Sequence, residues 1–244
     1  MAGLWSQRSA TTSTVIGIMD RDSWTARTDN IVVADARRRR LIWIPRDLWS
    51  DVVGDRINEA YGRGGHELFR AAVRELGMPV ESSVVLLRSA VEHALTGLRI
   101  TVPVGRTRRY WYPLEPRSRL EDGAKLIGFE PPQVTLTGER IHQWIGARRS
   151  ADTLPPKLPD FDRIERQQVL VQRLLDDGFD FTKALGDPAL VAVSGARAFE
   201  QLAVVRPGWA LRTFASVKPV TIGGKMVLIR HHRRLLPLRI WRGE

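Results

Sequence analysis

Two uninterrupted apolar runs constrain this chain more than any other feature. Ile31-Val32-Val33-Ala34 and Leu41-Ile42-Trp43-Ile44 contain no alternating polar residue. A strand with one face in water alternates between apolar and polar side chains; a strand covered on both faces does not. The two runs are therefore expected at the centre of a sheet with helices on either side. The basic turn Arg37–Arg40 joins them. Pro45 stops the second run, because proline cannot donate to a strand ladder. Arg46 and Asp47 then fall just past a strand end, where open α/β sheets gather their ligand-binding side chains.

The rest of the chain reads around this pair. Thr14-Val15-Ile16-Gly17-Ile18-Met19 is a short buried-strand pattern, followed by the polar loop Asp20, Arg21 and Asp22. Ile57 to Leu76 has helical spacing in Phe69, Val73 and Leu76, is interrupted early by Gly62, Gly64 and Gly65, and ends at Gly77 and Pro79. A strand is expected over 84–87, a short helix over 89–95 and a strand over 98–102. Residues 105–133, rich in Arg, Gly and Pro, are expected to be irregular. Leu136 to Ile145 reads as a helix beginning near Thr137, and 150–160 as a proline-rich loop. Ile164 to Leu175 is amphipathic, with Val169, Leu170 and Leu174 on its apolar face. Further helices are expected over 181–205. Val220 to Ile229, broken by Gly223-Gly224, reads as a hairpin.

At 244 residues the chain fits one full-sized domain, taken here as 14–244 behind a loose lead-in over 1–13. The net charge of +11 is carried almost wholly by arginine. A GC-rich genome produces such a bias by itself. The charge still attracts polyanions: nucleic acid, anionic lipid or phosphorylated glycans. The absence of cysteine excludes disulfides, zinc–thiolate sites and a cysteine nucleophile. No apolar stretch is long enough to span a bilayer, and the first residues lack the apolar core of a signal peptide. The histidines have no metal-ligand spacing.

Arginines stand beside carboxylates at three separated points: Arg27-Thr28-Asp29, Ile44-Pro45-Arg46-Asp47, and Asp160 through Gln168. The guanidinium fork fits phosphate oxygens two at a time. Carboxylates in the same place repel a phosphate unless a cation bridges them or one acts as a base. The combination points to a pyrophosphate held with a metal ion. The alternative is a set of local ion pairs on a solvated basic face.

These stretches, with Arg56-Ile57-Asn58-Glu59-Ala60-Tyr61, Gly64-Gly65 and Leu136-Thr137-Gly138-Glu139 between them, resemble the LytR-CpsA-Psr family of cell-wall glycopolymer ligases over about residues 14–175. The resemblance implies an α/β fold, a single-domain three-layer α/β/α sandwich around a mixed central sheet. It implies transfer of a glycan phosphate from a polyprenyl-pyrophosphate carrier to a peptidoglycan hydroxyl, with Mg2+ as cofactor. Carried over by motif, Arg27, Asp29, Arg46, Arg148, Arg163, Arg166 and Gln167 would gather at the pyrophosphate. Arg163 and Arg166, three apart at a helix start, would share one side. Asp20 and Asp29 are candidates for the magnesium, and Asp29 also for the base that takes the acceptor's proton.

The chain departs from the family pattern in places. Gly146 stands where an arginine is expected, leaving Arg148 with Arg149 beside it. The family's aspartate after the first strand falls on Met19 or Asp20, depending on a one-residue shift. The carrier's lipid tail needs an apolar groove, for which Phe69, Val73, Val84, Leu86 and Val91 serve equally well as ordinary core. By resemblance the protein works at the extracytoplasmic face of the membrane, in contact with its surface through the lipid substrate; with no signal or spanning segment in the sequence, a cytoplasmic location stays open. The competing function is a non-catalytic binder of polyprenyl-pyrophosphate or another polyanion. Nucleic acid ranks last, since no nucleic-acid-binding module is visible. Trp111, between Tyr110 and Tyr112, either stacks on sugars or bases or anchors a surface loop.

Overall fold

The computed structural model describes residues 13–115, 118–151, 159–195, 197–214, 217–230 and 235–237. Among the described residues the elements run in chain order as β1 (Ser13–Met19), β2 (Thr28–Asp35), β3 (Arg40–Ile44), β4 (Trp49–Ser50), β5 (Asp55–Arg56), α1 (Ala60–Glu75), β6 (Val80–Leu86), α2 (Arg88–Ala94) and β7 (Arg99–Pro103). They continue as β8 (Arg108–Pro113), β9 (Ala124–Phe129), β10 (Gln133–Thr137), α3 (Glu139–Gly146), β11 (Arg149–Ser150), α4 (Pro159–Asp176) and β12 (Val191–Ser194). The chain closes with α5 (Ala198–Ala203), β13 (Ala210–Phe214), β14 (Val217–Ile222), β15 (Lys225–Arg230) and β16 (Leu235–Pro237). Two compact units result. One comprises 1–94, 180–205 and 209–237; the other comprises 95–179, 206–208 and 238–244.

The first unit is built on a seven-stranded mixed sheet in the order β12-β6-β1-β2-β3-β13-β16. The two apolar runs are β2 and β3, in the interior of that order, paired antiparallel with Val33 opposite Ile42. Side chains alternate across the sheet. Val15, Met19, Ile31, Val33, Ile42 and Ile44 form one core with Phe69, Ala72 and Val73 of α1. Val84 and Leu86 form another with Ala90 of α2 and Ala198 and Leu202 of α5, against Ile16 and Ile18. Helices thus cover both faces, which gives the expected three-layer α/β/α arrangement. Gly17 lets α1 come close: a Cβ there would lie 2.8 Å from Thr28 Cγ2 and 3.1 Å from the Phe69 ring. The kink expected early in α1 is at Gly64 and Gly65, the latter with φ +58. The lipid-groove candidates Phe69, Val73, Val84 and Leu86 are all buried core.

The Gly-Gly hairpin is β14–β15, turning on Gly223 and Gly224 with φ of 54° and 77°. It is tied down from two sides. The Asp55 carboxylate accepts from Lys225 Nζ at 2.7 Å and Arg63 at 2.6 Å. Leu228 N–H donates to the Asp47 carbonyl at 2.8 Å.

The second unit holds the β7–β10 ladder, the sheet β11-β8-β9, and helices α3 and α4. The structure corrects three expectations, two of them in this unit. Residues 105–133 are not irregular: Arg108–Pro113 and Ala124–Phe129 pair antiparallel, Tyr110 opposite Ile127. Their alternation escapes a simple reading because the outward Trp111, Pro113, Ala124 and Leu126 are themselves apolar. Leu136 and Thr137 end a strand, and the helix begins at Glu139, since β10 pairs with β7 through Leu136 opposite Ile100. In the first unit, the helices expected over 181–205 reduce to α5 and short 3-10 turns. Val191–Ser194 is instead an edge strand on β6. The lead-in up to residue 12, most of the proline-rich loop (152–158), the Asp160 side chain and the His231-His232 tail lie outside the described residues.

Candidate functional site

In the first unit the sequence candidates do assemble. β1 and β3 run parallel with β2 between them, so the ends of β1 and β3 and the start of β2 share one edge. Arg46 NH1 donates to Asp29 Oδ1, and both side chains are largely buried. Arg46 Nε lies 3.6 Å from Asp47 Oδ2, and Arg56 NH1 lies 3.6 Å from Asp47 Oδ1. Asp47 is thus a partner of Arg46, as its position next to it implied. Arg27 pairs not with Asp29 but with Glu59, at 2.7 Å, in the turn that leads into α1. Asn58 N–H donates to the Arg46 carbonyl at 3.2 Å, which ties that turn to the end of β3.

Three arginines, Arg27, Arg46 and Arg56, therefore face three carboxylates, Asp29, Asp47 and Glu59. Each pair is charge-compensated. An incoming phosphate must compete with a carboxylate for its arginine, or arrive with a cation that takes the carboxylate over. Arg56 and Glu59 were absent from the sequence candidates, although both belong to the Arg56–Tyr61 stretch that carries the resemblance.

The two residues of the one-residue ambiguity after β1 have different surroundings. Met19 is buried, opposite Thr28 in the ladder, and its Sδ accepts the Thr28 hydroxyl at 3.9 Å. A thioether is a soft ligand that does not suit magnesium. Asp20 follows, its N–H donating to the Arg27 carbonyl at 2.8 Å. Its Oδ1 is buried and accepts no hydrogen bond; Arg21 Nε is 3.4 Å away but poorly aligned. Among the described residues no cluster of three or more His, Cys, Asp or Glu could hold a metal by itself.

In the second unit Arg166 and Gln167 are spent on structure. The helix α3 ends at Gly146 with unsatisfied carbonyls, as any helix does. Arg166 NH1 donates to the Trp144 carbonyl and NH2 to the Ala147 carbonyl, and Gln167 Nε2 donates to the Ile145 carbonyl at 3.0 Å. Arg166 Nε reaches Asp162 at 3.3 Å, and its guanidinium stacks 4.4 Å from the centre of the Tyr110 ring. Arg166 is fully buried, and burial pulls its pKa down while Tyr110 and Asp162 hold it up. Arg166 is thus no free phosphate clamp, and it does not share an open face with Arg163. The sequence signal was available: Arg166 stands three and four residues before Val169 and Leu170, inside the apolar stripe.

Asp162 organises this cluster. Its carboxylate accepts from Arg108, Tyr110 and Arg166. Arg108 also donates to Glu165 at 3.2 Å. Burial pushes the Tyr110 phenol up to about 12. Arg163 is buried as well, whereas Arg148 is exposed. A cavity of about 300 Å3 opens beside the cluster, lined by Arg106, Arg108, Glu165 and Arg166 over Trp144 and Val169.

The basic turn Arg37–Arg40 is partly neutralised. Asp35 accepts from Arg38 at 3.2 Å and from Arg40 at 3.0 Å.

The LytR_cpsA_psr family model matches residues 5–190. The chain belongs to the LytR-CpsA-Psr family. Members of this family are cell-wall glycopolymer transferases that act at the cell envelope. The fold agrees with solved family structures. TagV of B. subtilis superposes with a TM-score of 0.58 at 17% identity, covering 90% of this chain and 91% of that one. TagT bound to LI-WTA gives 0.58 at 17% identity over 89% and 83%. The gbs0355 protein of Streptococcus agalactiae gives 0.61 at 15% identity over 90% and 82%. No curated protein matches the sequence. Among the described residues no helix is long and apolar enough to cross a membrane.

Proposed function

We propose that this LytR-CpsA-Psr protein moves a glycan phosphate from a polyprenyl-pyrophosphate carrier to a peptidoglycan hydroxyl. The observation that carries the reading is the Arg46–Asp29 pair at the strand ends, flanked by Asp47, Arg56, Arg27 and Glu59. Phosphoryl transfer asks little covalent chemistry of a protein. It asks for neutralisation of the phosphate oxygens and an in-line approach. In this reading Arg46 and Arg27 bind non-bridging oxygens of the pyrophosphate. The acceptor oxygen attacks the glycan-bearing phosphorus as the bond to the bridging oxygen breaks. The prenyl phosphate leaves with that oxygen, and the hydroxyl proton passes to Asp29. The likeness to TagT, solved with LI-WTA bound, supports a glycopolymer substrate.

Asp20 and Asp29 would hold magnesium. One or two carboxylates completed by substrate phosphates is a common magnesium shell, and the buried Asp20 Oδ1 without a hydrogen bond fits that demand. The ion supplies charge neutralisation when bound. The chain's own part is to hold the Asp29 carboxylate against Arg46 at the strand ends.

The test is incubation with a lipid-pyrophosphate-linked glycan, a peptidoglycan acceptor and magnesium. Release of prenyl phosphate is expected, falling by roughly two orders of magnitude or more in Arg46→Ala. No release from the parent protein overturns the reading, as does full activity in the variant.

Two observations favour a second reading, binding without turnover: Met19 fills the buried position at the end of β1, and Gly146 replaces an expected arginine. A lipid pyrophosphate that binds, is weakened by Arg46→Ala and is never cleaved would establish it.

A further inference from the structure

The outward face of the β11-β8-β9 sheet breaks the usual pattern. A sheet that packs one face on a core normally turns polar residues outward. The inward row is ordinary, with Tyr110 opposite Ile127, both buried. The outward row is Trp111 opposite Leu126, then Pro113 opposite Ala124 and Arg109 opposite Gly128. Trp111 is 43% exposed and Leu126 53%. On the other side of Trp111 its ladder partner is the exposed Arg149. Both charged residues at these outward ladder positions are thus arginines, flanking a tryptophan and a leucine that the described residues leave about half exposed.

We infer that this face docks on an anionic bilayer surface, with Trp111 and Leu126 entering the headgroup boundary and Arg109 and Arg149 against lipid phosphates. Three features favour lipid. An indole and a leucine side by side gain from leaving water, and tryptophan prefers the membrane interface. The charges at the outward ladder positions are the arginines Arg109 and Arg149, with the Glu130 carboxylate beside Gly128, on a chain of net charge +11 that anionic headgroups complement. A glycan platform would stack a sugar on Trp111, but Pro113, Ala124 and Gly128 on the same face offer its hydroxyls no side-chain hydrogen bond. Here the ladder neighbours are leucine and arginine. The inference is independent of the transfer reading, because vesicles carry no pyrophosphate.

The chain has no cysteine, so a single one can be labelled without background. Leu126→Cys carries an environment-sensitive fluorophore, and a second protein carries the same label in Phe199→Cys, exposed on α5 in the other unit. With vesicles of phosphatidylglycerol and phosphatidylcholine, the label at 126 is expected to shift to the blue and the label at 199 is not. The shift should fade as salt rises and be lost on pure phosphatidylcholine. Trp111→Ser with Leu126→Ser should weaken co-sedimentation with the anionic vesicles by roughly tenfold or more at an unchanged thermal midpoint. Arg109→Gln with Arg149→Gln, which keeps the apolar pair, should erase the preference for anionic lipid. No vesicle binding, or binding without a shift at 126, overturns the inference. So does a shift at 126 with soluble peptidoglycan fragments but not with vesicles, which would make the face a glycan platform.

Discussion

Arg166 and Trp144 hold each other from both ends: the guanidinium of Arg166 donates to the Trp144 carbonyl, and the Trp144 indole N–H donates to the Arg166 carbonyl at 2.7 Å. The exchange locks the end of α3 onto α4 and sets the backbone from which Arg148 projects. Arg166→Ala leaves the Trp144 and Ala147 carbonyls buried without their donor and takes one of three donors from Asp162. Removing one partner from such a buried set costs about 3–5 kcal/mol. A fall of that size in the denaturation free energy is expected. Arg166→Lys should recover little of it, because one ammonium cannot span the two carbonyls and the carboxylate. Arg148→Ala, at an exposed position, should change stability by about 0.5 kcal/mol or less. Equal effects of the two alanine substitutions on stability would refute this division between a buried structural arginine and an exposed one.

Tyr110 links the same cluster to alkaline pH. Its phenol donates to Asp162, and burial holds its pKa up at about 12, against about 10 in an unfolded chain. Between these values the unfolded state releases a proton that the folded state keeps. The stabilisation is therefore complete below pH ~10 and is lost as pH rises toward 12. Two units correspond to about 2–3 kcal/mol. Denaturant melts of the parent protein should show this slope, and Tyr110→Phe should lack it. A slope unchanged by the substitution would place the titration elsewhere, with Tyr61, whose pKa burial also raises, the next group to test.

Much of the first unit can be read from local pattern, because its physics is local. The unbroken runs at 31–34 and 41–44 required cover on both sides, and the β-sheet order provides it. Gly223-Gly224 marked a turn that only positive φ can make. The second unit resisted for a stated cause. Trp111 and Leu126 face outward, so the polar-out signal that identifies a half-buried strand is missing from β8 and β9. The pairing of Arg46 with Asp29 is legible from residue type and from position at strand ends. Arg166 and Gln167 were found by motif but given the wrong task, because a buried guanidinium capping another helix's carbonyls and a guanidinium awaiting a phosphate have the same letter. Their partners, carbonyls at 144–147, leave no trace in side-chain identity.

Asp55 provides the acid counterpart. Lys225 and Arg63 hold its pKa down at about 2, although burial works against them. A depressed carboxylate stabilises the fold above its unfolded pKa, near 3.9, and loses that contribution as pH falls toward 2. Lys225 and Arg63 are themselves about half exposed, so screening reduces the effect to about 1 kcal/mol. Asp55→Asn should cost that much at neutral pH and nothing at pH ~2, with the loss sharpest for protection of the β14–β15 hairpin in hydrogen exchange. A cost that persists unchanged at the acid end would mean that the carboxylate acts through shape and not charge.

Gly146 allows the family departure to be tested by reversal. It is the last residue of α3, is exposed and does not have positive φ. A Cβ built on it meets nothing nearer than the Tyr112 hydroxyl at 4.0 Å. An arginine therefore fits without displacing anything. It should also stabilise: glycine costs a helix up to about 1 kcal/mol, and a cation at the helix C-terminus gains about 0.3–1 kcal/mol from the exposed carbonyls. Gly146→Arg is thus expected to raise the thermal midpoint by a few degrees. If the position faces substrate as the family resemblance implies, one added charge-assisted contact should tighten binding of a lipid pyrophosphate by roughly tenfold. Both readings come from the same protein sample, by calorimetric melting and by titration with the ligand. A higher melting point with unchanged affinity would remove position 146 from the pyrophosphate site, and a lower melting point would refute the open geometry around it.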